Sequence, residues 1–154
     1  MKNQVKPIPK GYHTVTPYLI VNNATEALGF YARALGATEI CRVPGPKGAI
    51  MHAEIQVGDS RLMLADETAG MRVRSPKSLQ GTTVSLMLYV EDVDAFVAKA
   101  IKAGAHSVRP VQDMFYGDRS GTLADPYGHI WEVATHQEDV SMEELQHRMM
   151  TATS

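Results

Sequence analysis

Glu132 is a carboxylate inside a run, His129–Thr135, whose other residues favour a β-strand. A charge within a strand is costly unless solvent, an ion-pair partner or a ligand satisfies it. Tyr116 and Arg119 lie upstream, before the turn Asp125–Gly128. The chemistry open to this stretch is a general base or a cation contact at Glu132, and an anion contact at Arg119.

His52 and Glu54 are a second pair of reactive side chains. One residue separates them in the alternating run Ile50–Val57, so both point to the same face of the predicted strand. With Glu132 they would supply imidazole and carboxylate donors for one divalent metal ion; the simpler interpretation is a hydrogen-bonded polar patch without metal. Cys41 has no partnered histidine in view along the chain, and we interpret it as inert.

The elements that must position these side chains occur in two similar sets. Helical spacing follows Asn23 in the first set and Asp92 in the second, and Gly36 and Gly104 are the predicted stops. Alternating and β-branched runs predict four strands in each set. Those of the first are His13–Val21, Thr38–Val43, Ile50–Val57 and Arg61–Ala65, and those of the second are Thr83–Val90, Ser107–Val111, Ser120–Ala124 and His129–Thr135.

The two sets align residue by residue at a spacing of about 69. Leu35–Ala37 corresponds to Ala103–Ala105, and Arg61–Ala65 corresponds to Ile130–Ala134. We therefore predict an α+β fold with two βαβββ modules in a pseudo-twofold repeat, followed by a C-terminal helix that a capping pattern starts at Ser141. The predicted segments are an N-terminal arm (1–12), the first module (13–66), a linker (67–82), the second module (83–138), and the C-terminal helix with its tail (139–154).

Strand alternation also predicts which side chains share a face. The helix of each module covers the apolar face of its sheet, and the opposite face is too polar for a dry core and too apolar for a plain solvent face. That face carries Thr16, Tyr18, His52, Glu54, Gln56, Arg61, Met63, Ser85, Met87, Thr122 and Glu132. A ligand-lined trough fits this mixture best; the alternatives are a solvated face and one covered by a dimer partner.

Composition excludes several classes of protein. The formal net charge is −2, so no basic footprint suggests nucleic acid as a partner. No apolar run approaches the ~20 residues that span a bilayer, and the N-terminus has no apolar core of a secretory signal. A single cysteine cannot form an intramolecular disulfide. We expect a cytoplasmic protein.

Several motifs resemble those of the vicinal oxygen chelate superfamily, which includes glyoxalase I, extradiol dioxygenases, and fosfomycin- and bleomycin-resistance proteins. The run Asp125–Glu132 and the repeat carry this resemblance. The finer similarity is to the PhnB-like branch, through Thr16–Leu19, His52–Glu54, Tyr89–Asp94 and Tyr116–Gly121. The resemblance implies curved sheets that form a cavity, usually in a homodimer.

Metal-dependent members of that superfamily carry ligands at positions that correspond to Thr16, Met63, Ser85 and Glu132. Only Glu132 is a good ligand for a divalent ion, so we predict no glyoxalase-type metal site and no cofactor. The favoured function is binding of a small organic molecule by a homodimer, as in the bleomycin-resistance members. The alternative is a metal-dependent or metal-independent lyase, isomerase or dioxygenase that uses Glu132 or Glu54 as base or ligand. The predicted ligand contacts are Thr16, Tyr18, His52, Glu54, Met63, Ser85, Met87, Tyr116, Arg119, Thr122 and Glu132.

Overall fold

A computed structural model describes residues 5–70 and 72–152. The chain divides into two compact units, Met1–Gly81 and Thr82–Ser154. The strands are β1 (Tyr18–Val21), β2 (Thr38–Pro44), β3 (Ile50–Val57), β4 (Ser60–Asp66), β5 (Ser85–Tyr89), β6 (His106–Asp113), β7 (Asp118–Ala124) and β8 (Ile130–His136). The helices are α1 (Ala24–Leu35), α2 (Pro76–Leu79), α3 (Val93–Ala103) and α4 (Met142–Ala152).

Each unit is built on one four-stranded sheet. The strand order is β1-β4-β3-β2 in the first unit and β5-β8-β7-β6 in the second. In both sheets the first strand pairs in parallel with the last strand of its module, and the remaining pairs are antiparallel. The prediction of two βαβββ modules followed by a C-terminal helix is confirmed.

The starts of α1 and α3 show how closely the repeat is kept. Asn23 accepts a hydrogen bond from the backbone of the third residue after it, and Asp92 does the same in the second unit. Asp66 Oδ1 accepts from the first N–H of α1 at 2.7 Å, and Thr135 Oγ1 accepts from the first N–H of α3 at 2.9 Å. The first N–H groups of a helix have no acceptor within the helix. In both helices these groups donate to a capping side chain and to a side-chain oxygen on the last strand of the same module.

The apolar face of the first sheet packs under α1. Leu19, Val21, Ile55, Leu62 and Leu64 are buried there, as strand alternation predicts. In the second unit the corresponding face buries Trp131 and Val133, while Leu86 and Leu88 on the edge strand β5 are half-buried. One face of each sheet is therefore closed by a helix; we call the other the helix-free face.

The first strand is shorter than predicted. The sequence indicates a strand from His13, whereas β1 begins at Tyr18. Pro17 has no N–H to donate to the ladder, although its carbonyl still accepts from Met63 N–H at 2.9 Å. Thr16 consequently lies in irregular chain ahead of the sheet. Of the predicted arm and tail, residues 1–4 and 153–154 lie outside the described residues.

The segment predicted as a linker carries structure of its own. It contains α2, and Glu67 secures the start of that helix by accepting from Arg74 Nε at 2.9 Å and from Ser75 N–H at 2.8 Å. Hydrogen bonds from Ser75, Arg74 and Ser78 lower the pKa of Glu67 to about 2. Residue 71 of this segment lies outside the described residues.

The C-terminal helix α4 begins as its capping pattern predicts. Ser141 Oγ accepts from Glu144 N–H at 3.2 Å. Arg148 then joins the helix to the preceding chain through Glu138, at 2.9 Å. Within residues 5–70 and 72–152, no helix is both long enough and apolar enough to cross a membrane.

Candidate functional site

Four side-chain positions form one row across the second sheet. Met87, Glu132, Thr122 and Arg109 are successive partners in the strand register of β5, β8, β7 and β6. Trp131 and Val133 flank Glu132 on the buried side, so Glu132 and its row belong to the helix-free face. Met87 is 45% exposed at the edge-strand end of this row.

Glu132 is held by its two neighbours in the row. Thr122 Oγ1 donates to Glu132 Oε2 at 2.7 Å, and Arg109 Nη2 donates to the same oxygen at 3.5 Å. Within the described residues, Glu132 Oε1 has no hydrogen-bond partner. The carboxylate is thus fixed through one oxygen and can present the other to a ligand.

Arg109 is fixed more firmly than Glu132. Its guanidinium donates to the Ser120 carbonyl and to Ser120 Oγ, both at 3.0 Å, and contacts Met114 Sδ at 3.4 Å. Tyr116 Oη lies 3.4 Å from the same Ser120 Oγ. We call Arg109, Tyr116, Ser120, Thr122 and Glu132 the Glu132 network.

Arg119 lies elsewhere than the sequence interpretation placed it. Its Nε and Nη2 donate to Asp94 of α3 at 2.7 and 2.8 Å, and its Nη1 donates to Asp113 at 3.0 Å. Because Ser120 and Thr122 face the Glu132 network, the residue before Ser120 points to the helix-covered side. These two carboxylates raise the pKa of Arg119 further above its ordinary value. The expected anion contact at the trough is therefore corrected: Arg119 is a surface clamp between α3 and β6.

A second polar group borders the helix-free face of the second unit. Asp118 is buried and accepts from Tyr89 Oη at 3.1 Å, while His136 Nδ1 lies 2.7 Å from its other oxygen. His136 Nε2 contacts Asp139 at 3.0 Å. Asp118 and then Asp139 raise the pKa of His136, so this imidazole favours its charged form.

The first sheet carries an equivalent row. Tyr18, Met63, Glu54 and Cys41 are successive register partners across β1, β4, β3 and β2. They match Met87, Glu132, Thr122 and Arg109 of the second sheet position by position. Tyr18, at the edge, is 48% exposed.

His52 and Glu54 come together as the sequence predicts. His52 Nε2 lies 3.2 Å from Glu54 Oε1, and His52 Nδ1 lies 2.8 Å from Tyr18 Oη. Tyr12, from the N-terminal arm, donates its hydroxyl proton to the other oxygen of Glu54. The hydrogen bonds from Tyr12 and then His52 lower the pKa of Glu54. The Arg61 guanidinium lies over the Tyr12 ring, 4.6 Å from its centroid.

The side chains that could bind a metal ion group differently from the set of His52, Glu54 and Glu132 considered from the sequence. Cys41 Sγ joins His52 and Glu54, and one ligand atom from each lies within 4.8 Å of the others. The third member proposed from the sequence, Glu132, belongs to the other unit. At the four positions of a glyoxalase-type set, Thr16 lies outside the strands and Ser85 is exposed, and neither residue is a good ligand for a divalent ion.

The profile of the Glyoxalase/Bleomycin resistance protein/Dioxygenase superfamily matches residues 11–133. The chain belongs to this superfamily. An uncharacterized protein of Mycobacterium bovis is 40% identical over 138 residues, which cover 88% of this chain and 91% of that protein.

Two solved structures have a fold similar to that of this chain. TioX from Micromonospora sp. ML1 is 25% identical with a TM-score of 0.64, and the match covers 80% of this chain and 98% of TioX. An Arabidopsis thaliana gene product is 27% identical with a TM-score of 0.67, with the same coverage of both chains. Within this superfamily fold, the two rows lie on the sheet faces that the helices leave uncovered.

Two residues in these rows were not predicted as site residues: Cys41, which was interpreted as inert, and Arg109. Both follow a register shift, between Glu39 and Cys41 in β2 and between Ser107 and Arg109 in β6. An extra residue in a strand reverses which side chains face inward, so plain alternation misplaces everything after it. Cys41 and Arg109 share the repeat offset of Glu54 and Thr122, their partners on the next strand, and this shared offset is the signal that aligns them with each other.

Proposed function

We propose that this protein binds a small organic molecule on its helix-free sheet faces, with the Glu132 network as the main polar contact. The observation that carries this is the row itself: a fixed carboxylate beside a fixed guanidinium, with the exposed thioether of Met87 next to the carboxylate. A few fixed polar groups beside apolar surface are typical of small-molecule sites.

The geometry favours particular ligand chemistry. Glu132 Oε1 is suited to accept from a ligand N–H, O–H or cationic nitrogen, because its other oxygen is already occupied by Thr122. Met87 is suited to contact an aromatic or alkyl body, since a thioether is polarizable and adapts its shape. The ligand class is therefore an aromatic or alkyl compound that carries a hydrogen-bond donor or a cationic nitrogen.

The first unit offers a similar but distinct surface. Tyr18 presents an exposed ring and Met63 a thioether, beside the linked His52 and Glu54. The proposed ligand contacts are those expected from the sequence, with Arg109 in place of Arg119: Thr16, Tyr18, His52, Glu54, Met63, Ser85, Met87, Arg109, Tyr116, Thr122 and Glu132.

Binding without a glyoxalase-type metal set is favoured over catalysis. Thr16, Met63 and Ser85 offer hydroxyl and thioether groups where a divalent ion needs imidazole, carboxylate or thiolate. A general base works best when its pKa lies near the working pH, whereas hydrogen bonds from Tyr12 and His52 lower the pKa of Glu54. The lowered pKa of Glu54 therefore disfavours this residue as the general base of a lyase, isomerase or dioxygenase.

We further propose a cytoplasmic homodimer of the PhnB-like branch. The motifs Thr16–Leu19 and Tyr116–Gly121 support the branch, and the single cysteine supports a reducing compartment. Analytical ultracentrifugation at high micromolar concentration tests the dimer. A mass near 16.9 kDa, that of one chain, would count against it.

A thermal-shift screen of organic cations, anions and neutral aromatic compounds tests the binding function. A ligand at about 100 times its Kd stabilises the native state by about 2.7 kcal/mol. We expect hits among compounds with a donor or cationic nitrogen, and we expect Glu132→Gln to weaken them. A library without hits, or hits that Glu132→Gln leaves unchanged, would contradict the proposed site.

A further inference from the structure

The first unit places a thiol, an imidazole and a carboxylate side by side on adjacent strands. Cys41 on β2 is the register partner of Glu54 on β3, and His52 lies two residues before Glu54 on the same face. One ligand atom from each of the three lies within 4.8 Å of the others. We propose that Cys41, His52 and Glu54 form a zinc-binding site that is separate from the Glu132 network; it shares His52 and Glu54 with the proposed ligand surface of the first unit but does not depend on that proposal.

The separations fit a tetrahedral ion. Zn–S bonds of about 2.3 Å and Zn–N or Zn–O bonds of about 2.0–2.2 Å place tetrahedral ligand atoms about 3.5 Å apart. His52 Nε2 and Glu54 Oε1 are already 3.2 Å apart. Cys41 Sγ lies within 4.8 Å of one ligand atom of each of the other two residues, and the Cys41 residue is exposed. The remaining adjustment is about 1 Å.

Each nitrogen or oxygen ligand has a supporting hydrogen bond. His52 Nδ1 lies 2.8 Å from Tyr18 Oη, which leaves Nε2 as the nitrogen directed to Glu54 and to the ion. Tyr12 donates to the oxygen of Glu54 that does not contact His52. Partners of this kind fix the orientation of metal ligands, and their loss costs about 10–100-fold in affinity.

The donor set selects the metal. A thiolate with imidazole and carboxylate suits zinc better than magnesium or calcium, which prefer oxygen alone. Three protein ligands leave one tetrahedral position for water or an added ligand, as in reactive rather than purely structural zinc sites. The set lies on β2 and β3, whereas Thr16 and Met63, the positions carried over from metal-dependent relatives, lie before β1 and on β4.

Cobalt substitution tests the site directly. Metal-free full-length protein is titrated with Co²⁺, and the near-ultraviolet thiolate-to-cobalt charge-transfer band and the visible d–d bands are recorded. We expect one Co²⁺ per chain, a charge-transfer band that Cys41→Ser abolishes, and displacement of Co²⁺ by Zn²⁺. Competition with a chromophoric chelator then gives the Zn²⁺ affinity. His52→Gln and Glu54→Gln should each weaken it at least about tenfold, and Tyr18→Phe should weaken it by a similar factor through the lost support of His52.

His106→Gln is the matched control, because His106 is an exposed strand histidine of the second unit. It should leave the Zn²⁺ affinity and both cobalt bands unchanged. Circular dichroism of each variant confirms its fold before titration. Absence of the charge-transfer band in the wild type, a band that survives Cys41→Ser, or equal losses in His52→Gln and His106→Gln would each overturn the proposal.

Discussion

Thr122 and Glu132 lie directly opposite each other on β7 and β8, and Thr122 Oγ1 donates a hydrogen bond to Glu132 Oε2 at 2.7 Å. Thr122 is buried, whereas the Glu132 side chain is 33% exposed. The buried hydroxyl therefore provides a hydrogen bond to one oxygen of a carboxylate that is partly exposed to solvent. This contact, together with the Arg109 guanidinium 3.5 Å from the same oxygen, offsets part of the cost of a charge inside a strand.

Replacement of Thr122 by Val removes this hydrogen bond at nearly constant volume. We expect the free energy of unfolding to fall by about 1 kcal/mol, because a half-solvated carboxylate recovers part of the loss from water. Urea denaturation measures the change. Thr122→Ser keeps the hydroxyl and should lose much less. No loss in Thr122→Val, or a larger loss in Thr122→Ser, would show that packing of the methyl group outweighs the hydrogen bond.

Arg109 and Arg119 provide a second comparison, since they lie on opposite faces of the second sheet. Arg109→Met should weaken binding of neutral hits that donate to Glu132 by about tenfold or more, because the carboxylate loses a charged partner that holds it in place. Arg119→Met should leave that affinity unchanged and only loosen the contact of α3 with β6. Isothermal titration of both variants with the same hit separates them. A loss confined to Arg119→Met would restore the assignment made from the sequence.

Glu67 makes the docking of α2 depend on pH. Its pKa is lowered from 4.5 to about 2 in the folded chain by hydrogen bonds from Ser75, Arg74 and Ser78. Its contribution to stability is thus fully present above about pH 4.5 and is lost as the pH falls through about 2. Glu67→Gln should be less stable than the wild type at pH 6, and the difference should shrink on acidification. A difference that stays constant from pH 6 to pH 2 would contradict the assigned hydrogen bonds.

Much of the fold follows from local chemistry in the sequence. The caps at Asn23 and Asp92, the stop at Gly36 and the repeat spacing were enough to predict α1, α3 and the two modules. The early start assigned to β1 was wrong because β-branched residues before Pro17 resemble a strand, although this proline cannot donate to the ladder. The helix α2 was missed because four residues are too few for helical spacing to be visible.

The candidate site was less accessible to sequence reasoning. His52 and Glu54 were predicted to share a face because β3 alternates regularly between them. Cys41 was interpreted as inert for want of a partnered histidine, whereas its thiol lies near His52 and Glu54, and Arg109 was not considered. Both residues follow strand bulges, which local propensity does not reveal. Arg119 was expected at the mouth of the trough because the sequence predicts a strand only from Ser120. The strand β7 begins at Asp118, so Arg119 lies within it and alternation turns its side chain to the helix-covered side.

The most direct test of the binding proposal is a methyl-resolved NMR titration with ¹³C-methyl methionine. Met87 stands next to Glu132 on the helix-free face and is 45% exposed, whereas Met142 begins α4 and is 69% exposed. Addition of the strongest thermal-shift hit should move the Met87 resonance and leave that of Met142 in place, and Glu132→Gln should reduce the shift of Met87 at equal ligand concentration. A ligand that binds and moves Met142 but not Met87 would contradict the account.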